Sequence, residues 1–119
     1  MKYVLDSSAI INLISRLGNK SIDLFKESLT SNLAYYEIGN FLWKIGREDL
    51  IKDFLNVLKF IHVESVNLNE EVLAIAIKEK LTYYDATYLF LSRKYNATLV
   101  SDDKDLINKG AKKSSEVMI

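Results

Sequence analysis

The sequence predicts an α/β protein built on a short, mainly parallel central sheet covered by helices. Three observations carry that prediction. Short β-like runs alternate with longer helical segments, the pattern of a parallel sheet with helices on both faces. Acidic residues stand directly after two of those runs, Asp6 after the first and Asp102-Asp103 after a later one. The composition, 49% hydrophobic and 27% charged over 119 residues, is that of an ordinary globular chain and suits a single domain over 1–119.

Lys2–Leu5 reads as the first strand, and Asp6-Ser7-Ser8 supplies helix-start chemistry. Ala9–Leu17 follows as a helix ended near Gly18, and Ser21–Ser28 as a second, short one. Ser31-Asn32 opens a longer helix over Leu33–Gly46, with Ala34, Ile38, Phe41 and Ile45 at helical spacing as its buried stripe. Leu50–Phe60 is helical with Ile51, Phe54, Leu55 and Leu58 inward, and Ile61–Val66 alternates around His62 and Glu64 as a half-buried strand does. Asn69–Lys80 is helical again. Thr82–Tyr95 is a helix with apolar residues around most of its circumference, the mark of a buried helix. Thr98–Ser101 is a strand, Asp102–Lys109 a helical turn or two, and Glu116–Ile119 a final strand.

Composition narrows the chemistry. There is no cysteine, so disulfides and thiolate metal sites are excluded, and any metal needs oxygen ligands or the single imidazole, His62. No basic start with a long apolar run marks a signal peptide, and no stretch approaches the roughly 20 apolar residues of a bilayer span. The expectation is a cytoplasmic protein with no membrane association. Its 16 basic and 16 acidic residues cancel, which disfavours a protein that grips nucleic acid mainly by charge. Local binding of a polyanion through a metal and a few lysines stays open.

In open parallel sheets, ligands bind beyond the carboxyl ends of the strands. Asp6, Asp102 and Asp103 are placed there by position alone. Glu37 lies at the margin of its helix's apolar stripe, and Asp85 in the first turn of the largely apolar helix. Each has a plain structural use: Asp6 as a helix cap, Asp85 and Asp102 at helix N-termini, Glu37 in an ion pair, Asp103 and Asp105 in solvent. Together they suggest more. Carboxylates gathered in one place repel unless a cation neutralises them, and hard oxygen ligands suit Mg²⁺ or Mn²⁺. Such ions assist phosphoryl hydrolysis.

Four stretches resemble those of PIN-domain nucleases, in the family's order. They are Val4-Leu5-Asp6-Ser7-Ser8-Ala9-Ile10-Ile11, Tyr36-Glu37-Ile38-Gly39-Asn40-Phe41-Leu42-Trp43, Leu81-Thr82-Tyr83-Tyr84-Asp85-Ala86-Thr87-Tyr88-Leu89 and Thr98-Leu99-Val100-Ser101-Asp102-Asp103-Lys104-Asp105-Leu106. The size and motif wording are most similar to VapC-type toxins of type II toxin–antitoxin pairs. The resemblance implies a PIN-like three-layer α/β/α fold and a Mg²⁺- or Mn²⁺-dependent endoribonuclease acting on RNA. It also implies a homodimer silenced by a cognate antitoxin. Asp6, Glu37, Asp85 and Asp103 would be the catalytic metal ligands, with Asp105 as accessory and Asp102 less favoured. Ser7 would lie by the first acid, and Ser101 or Thr82 could support the site. The proline often found before the second-acid helix is absent, with Leu33-Ala34 standing there.

Other residues divide between two uses. Arg16, Lys20, Lys44, Arg47 and Lys104 could bind phosphate or simply be solvated. Tyr35, Tyr36, Tyr83, Tyr84 and Trp43 could stack on bases, although core or dimer packing is the commoner fate of aromatics. His62 is read as structural. A phosphatase using paired aspartates is disfavoured because Ser8 stands where the second Asp is needed. A PIN-like protein- or RNA-binding module with weak turnover is the alternative function, and the four filled acidic positions argue against it.

Overall fold

The computed structural model describes residues 1–117. Four strands, β1 (Tyr3–Leu5), β2 (Ser28–Ser31), β3 (His62–Glu64) and β4 (Thr98–Val100), form one sheet in the order β3-β2-β1-β4. All neighbours run parallel, with Val4 opposite both Leu29 and Leu99, and Leu29 opposite His62. Parallel neighbours need crossovers, and helices supply them. Helices α1 (Ser7–Leu17) and α2 (Ile22–Lys26) link β1 to β2. Helices α3 (Leu33–Ile45) and α4 (Ile51–Leu58) lead to β3. Helices α5 (Glu70–Glu79) and α6 (Tyr83–Lys94) lead to β4, and α7 (Lys104–Ile107) follows it.

The result is three layers. Helix α6 lies across β1, β2 and β4 with α5 packed on it, while α1 contacts β1 and packs against α3. Val4 and Leu5 of the central strand are fully buried against Ala9, Ile10 and Leu13 of α1 and Leu91 of α6. Burial of each such aliphatic side chain stabilises the fold by roughly 1.5–3 kcal/mol. Among the described residues no helix is long and apolar enough to cross a membrane.

Four expectations change. Strand β2 was not anticipated, because Ser-Leu-Thr-Ser has no apolar alternation. All four of its residues are nevertheless buried, since Ser28 Oγ donates to Leu24 O at 2.7 Å and Thr30 Oγ1 to Leu5 O at 2.6 Å. Strand β3 is an exposed edge rather than half-buried: His62 and Val63 both face solvent. The buried stripe of α3 is Ala34, Ile38 and Leu42, and that of α4 is Phe54, Val57 and Leu58, leaving Ile45, Ile51 and Leu55 exposed. Finally, Ser114–Glu116 is a 3₁₀ turn where the last strand was expected to begin, and residues 118–119 lie outside the described part.

Because every strand runs the same way, all four carboxyl ends meet one edge of the sheet. Asp6 follows β1, Ser31-Asn32 close β2, and Ser101-Asp102-Asp103 follow β4.

Candidate functional site

Asp6 is buried to 3% exposure at the start of α1. One carboxylate oxygen accepts from Ala9 N at 2.9 Å, which caps the helix, and from Ser8 Oγ at 2.7 Å. Ser101 Oγ donates to the other oxygen. The two serines also accept from the backbone beyond β4, Ser8 from Asp102 N and Ser101 from Asp103 N, each at 2.9 Å. The carboxylate of β1 is thus tied through two hydroxyls to the loop that carries the last acid. Capping and membership of an acidic site coexist at Asp6.

The remaining acids arrive from three helices. Glu37 stands half-buried on α3, where Tyr88 Oη donates to its Oε1 at 2.7 Å. Asp85 occupies the first turn of α6, whose start is set by Thr82 accepting from Asp85 N at 3.1 Å. Asp103 caps α7 by accepting from Asp105 N at 2.8 Å. Asp85, Asp103 and Asp105 each bring a carboxylate oxygen within 4.8 Å of the others. Asp102 turns away from them, accepting from Asn12 Nδ2 at 2.7 Å and Ser114 N at 2.9 Å.

Electrostatics report the crowding. Burial, only partly offset by the hydrogen bonds from Ser101, Ala9 and Ser8, pushes the Asp6 carboxyl up to about 6, and the Glu37 charge adds to the rise. Asp85 is pushed up to about 6 by burial, then by the charges of Asp103, Asp6, Asp105 and Glu37. Asp6, Glu37, Asp85, Asp103 and Asp105 therefore share one electrostatic neighbourhood. Among the described residues none of the five forms a salt bridge. Gathered carboxylates that no lysine, arginine or histidine neutralises in a salt bridge are the donor set a hard divalent ion fits. The N-terminus of α6 offers partial positive charge at the same place. For Asp102, burial acts upward, but the Asn12 and Ser114 hydrogen bonds outweigh it and hold that carboxyl below its usual range.

Two supporting groups were missed by sequence reasoning. Ser8, given no supporting role there, donates to Asp6, while Ser7, next to Asp6 in the chain, lies beside the Tyr88 hydroxyl. Tyr88 itself went unnoticed because it reads as one more apolar residue of α6. Its position, one turn beyond Asp85 on the same face, was the available signal. Burial, the charge of Glu37 and the hydrogen bond to it keep the phenol protonated. Its truncation to Phe is expected to lower divalent-ion affinity about 10–100-fold, as loss of an orienting partner does, and to leave the fold intact. Titration calorimetry with Mn²⁺ checks this. Of the basic residues, Arg16 donates to Ser114 O and Arg47 pairs with Asp49 beyond the far end of α3. Lys104 sits directly beside Asp103.

Comparison with known proteins bears on the same residues. The model of the PIN domain family matches residues 3–112, a span that includes all five acids. The chain belongs to the PIN-domain family. Two relatives of this PIN-domain protein come from Pyrobaculum aerophilum. Ribonuclease VapC3 is 34% identical, with 92% of this chain and 95% of the relative aligned. Exonuclease VapC9 is 30% identical, with 92% and 86% aligned. The crystal structure of PAE2754 from the same organism covers 97% of this chain and 92% of its own at a TM-score of 0.86 and 29% identity. The match is to the VapC type within the family.

Proposed function

We propose that this PIN-domain protein is a Mg²⁺- or Mn²⁺-dependent endoribonuclease, the toxin of a type II toxin–antitoxin pair. The observation that carries this reading is the cluster of Asp85, Asp103 and Asp105, with the charges of Asp6 and Glu37 acting on Asp85, in a chain related to a protein named ribonuclease VapC3. Asp6, Glu37, Asp85 and Asp103 are proposed to hold the ion, with Asp105 beside them. When bound, such an ion lowers the pKa of a water and offsets charge on the departing oxygen. The chain's own contribution is positional. Ser8 and Ser101 hold Asp6 in one orientation, Tyr88 holds Glu37, and Thr82 fixes the turn bearing Asp85. Groups held in this way need little rearrangement when the reaction's charge develops. Lys104 is the cation nearest the acids in the chain and can attract a phosphate to them.

A cognate antitoxin and a second copy of the chain are proposed as protein partners in a cytoplasmic setting. The exposed apolar side chains Trp43, Ile51 and Leu55 support contact with protein. A circular RNA separates the endonucleolytic reading from an exonuclease such as VapC9 is named to be. Incubation with Mg²⁺ or Mn²⁺ is expected to linearise the circle, and chelator to prevent it. A circle that survives while linear RNA is shortened from an end would replace the proposal with an exonuclease.

A further inference from the structure

A pocket of about 160 Å³ opens beside the acids, and its lining contains no charged residue. It is lined by Ser31 and Asn32 at the end of β2, by Asn67, which follows β3, and by Tyr36, Tyr83 and Tyr84. Tyr36 immediately precedes Glu37, and Tyr84 immediately precedes Asp85. The pocket therefore occupies the β2–β3 half of the sheet edge whose β1–β4 half carries Asp6 and Asp103. Neighbouring strands lie about 4.8 Å apart, so the two halves are one or two strand spacings from each other. That is the reach between the phosphate and the base of one nucleotide.

The lining tyrosines differ in their freedom. Tyr83 is locked, its hydroxyl donating to Asn67 O and accepting from Asn69 N at 2.9 Å, which fixes the loop after β3 with Asn67 in the left-handed region at φ 59°. By contrast, Tyr36 and Tyr84 are 75% and 59% exposed, so of the two packing fates expected of such rings, core or dimer, neither ring takes the first. The side chain of Asn32 does not cap α3 although it stands at the cap position. An uncharged recess with accessible aromatic faces and amide groups accepts a neutral planar ring, and the acids at its margin repel a phosphate. Bases stack on tyrosines whatever their identity, and asparagine amides pair with base edges that are free of a partner strand.

We propose that this pocket binds an unpaired nucleobase of the RNA next to the scissile phosphate, with Tyr36 and Tyr84 as the stacking groups. The inference rests on the nuclease reading for its choice of RNA. The test measures binding of a fluorescent single-stranded oligoribonucleotide, and of the same sequence as a duplex, to the Asp6→Asn protein. Adding Tyr36→Ala or Tyr84→Ala is expected to weaken single-strand binding by about 5- to 150-fold, the range that alanine substitution of a stacking aromatic gives. Tyr36→Phe and Tyr84→Phe are expected to preserve it, and the duplex to bind more weakly and indifferently to all four changes. Unchanged single-strand binding in the alanine variants overturns the pocket, as does absence of single-strand binding in the parent. A change of oligomeric mass in the alanine variants overturns it in favour of contact between copies. Cleavage by the wild-type chain is followed in parallel. Tyrosine-dependent binding without cleavage keeps the pocket and sinks the nuclease, whereas cleavage without tyrosine dependence does the reverse.

Discussion

Asp6→Asn is expected to reduce metal-dependent RNA cleavage by roughly a thousandfold or more, since the metal's stabilisation of transition-state charge is worth several kcal/mol. The fold should persist. The Asn oxygen can accept from Ala9 N and Ser8 Oγ as the carboxylate does, and the new amide can donate to Ser101 Oγ, which has a lone pair to spare beside the one facing Asp103 N. The substitution also removes a buried charge that no cation offsets in the metal-free protein. Its melting temperature without metal at pH 7.5 should therefore rise above that of the wild type, even as activity disappears. A variant that is both inactive and unfolded would show instead that Asp6 serves mainly as the cap of α1.

Lowering the pH is expected to stabilise the metal-free wild type relative to Asp6→Asn. The folded Asp6 carboxyl is raised from 3.8 to about 6, so the folded state holds a proton that the unfolded state releases between those values. The stability gained from that proton is complete below 3.8 and is lost as the pH rises through about 6. Two pH units correspond to roughly 3 kcal/mol, or about 10 °C in melting temperature for a chain of this size. Asp85 shifts in the same direction, but it is more open to water and contributes less. Comparing the two proteins isolates Asp6 from the other carboxylates. Mg²⁺ or Mn²⁺ competes with the same protons, so its stabilising effect should grow above pH 6 and fade at pH 5. A wild type that loses its stability disadvantage at neutral pH without metal would contradict the account.

The acidic residues were legible for a topological reason. A parallel sheet delivers every strand's carboxyl end to one edge, so Asp6 and Asp103 could be brought together from their places after two short apolar runs. Asp85 and Glu37 were legible through helix position and the family resemblance. What escaped was set by tertiary contact. Strand β2 hides its burial behind hydroxyls whose partners, Leu5 O and Leu24 O, are unknown until the chain is folded. Tyr88 is a core residue of α6, yet the only polar atom of its side chain reaches Glu37 across the boundary between α6 and α3. Asp105 was ranked behind Asp103, but in the first turn of α7, two residues past the Asp103 cap, it brings a carboxylate oxygen within 4.8 Å of those of Asp85 and Asp103. The exposure of Tyr36, Trp43 and Tyr84 was equally hidden, since helical periodicity gives spacing but not which apolar residues are left without a neighbour.

The convergence of the carboxylates on a metal is the central claim, and anomalous scattering from a crystal of the wild-type protein grown with Mn²⁺ tests it directly. The predicted result is a peak held by the carboxylates of Asp6, Glu37, Asp85 and Asp103, with Asp105 beside it, and no such peak in Asp6→Asn. A Mn²⁺ peak elsewhere, or no peak at that sheet edge, would contradict it.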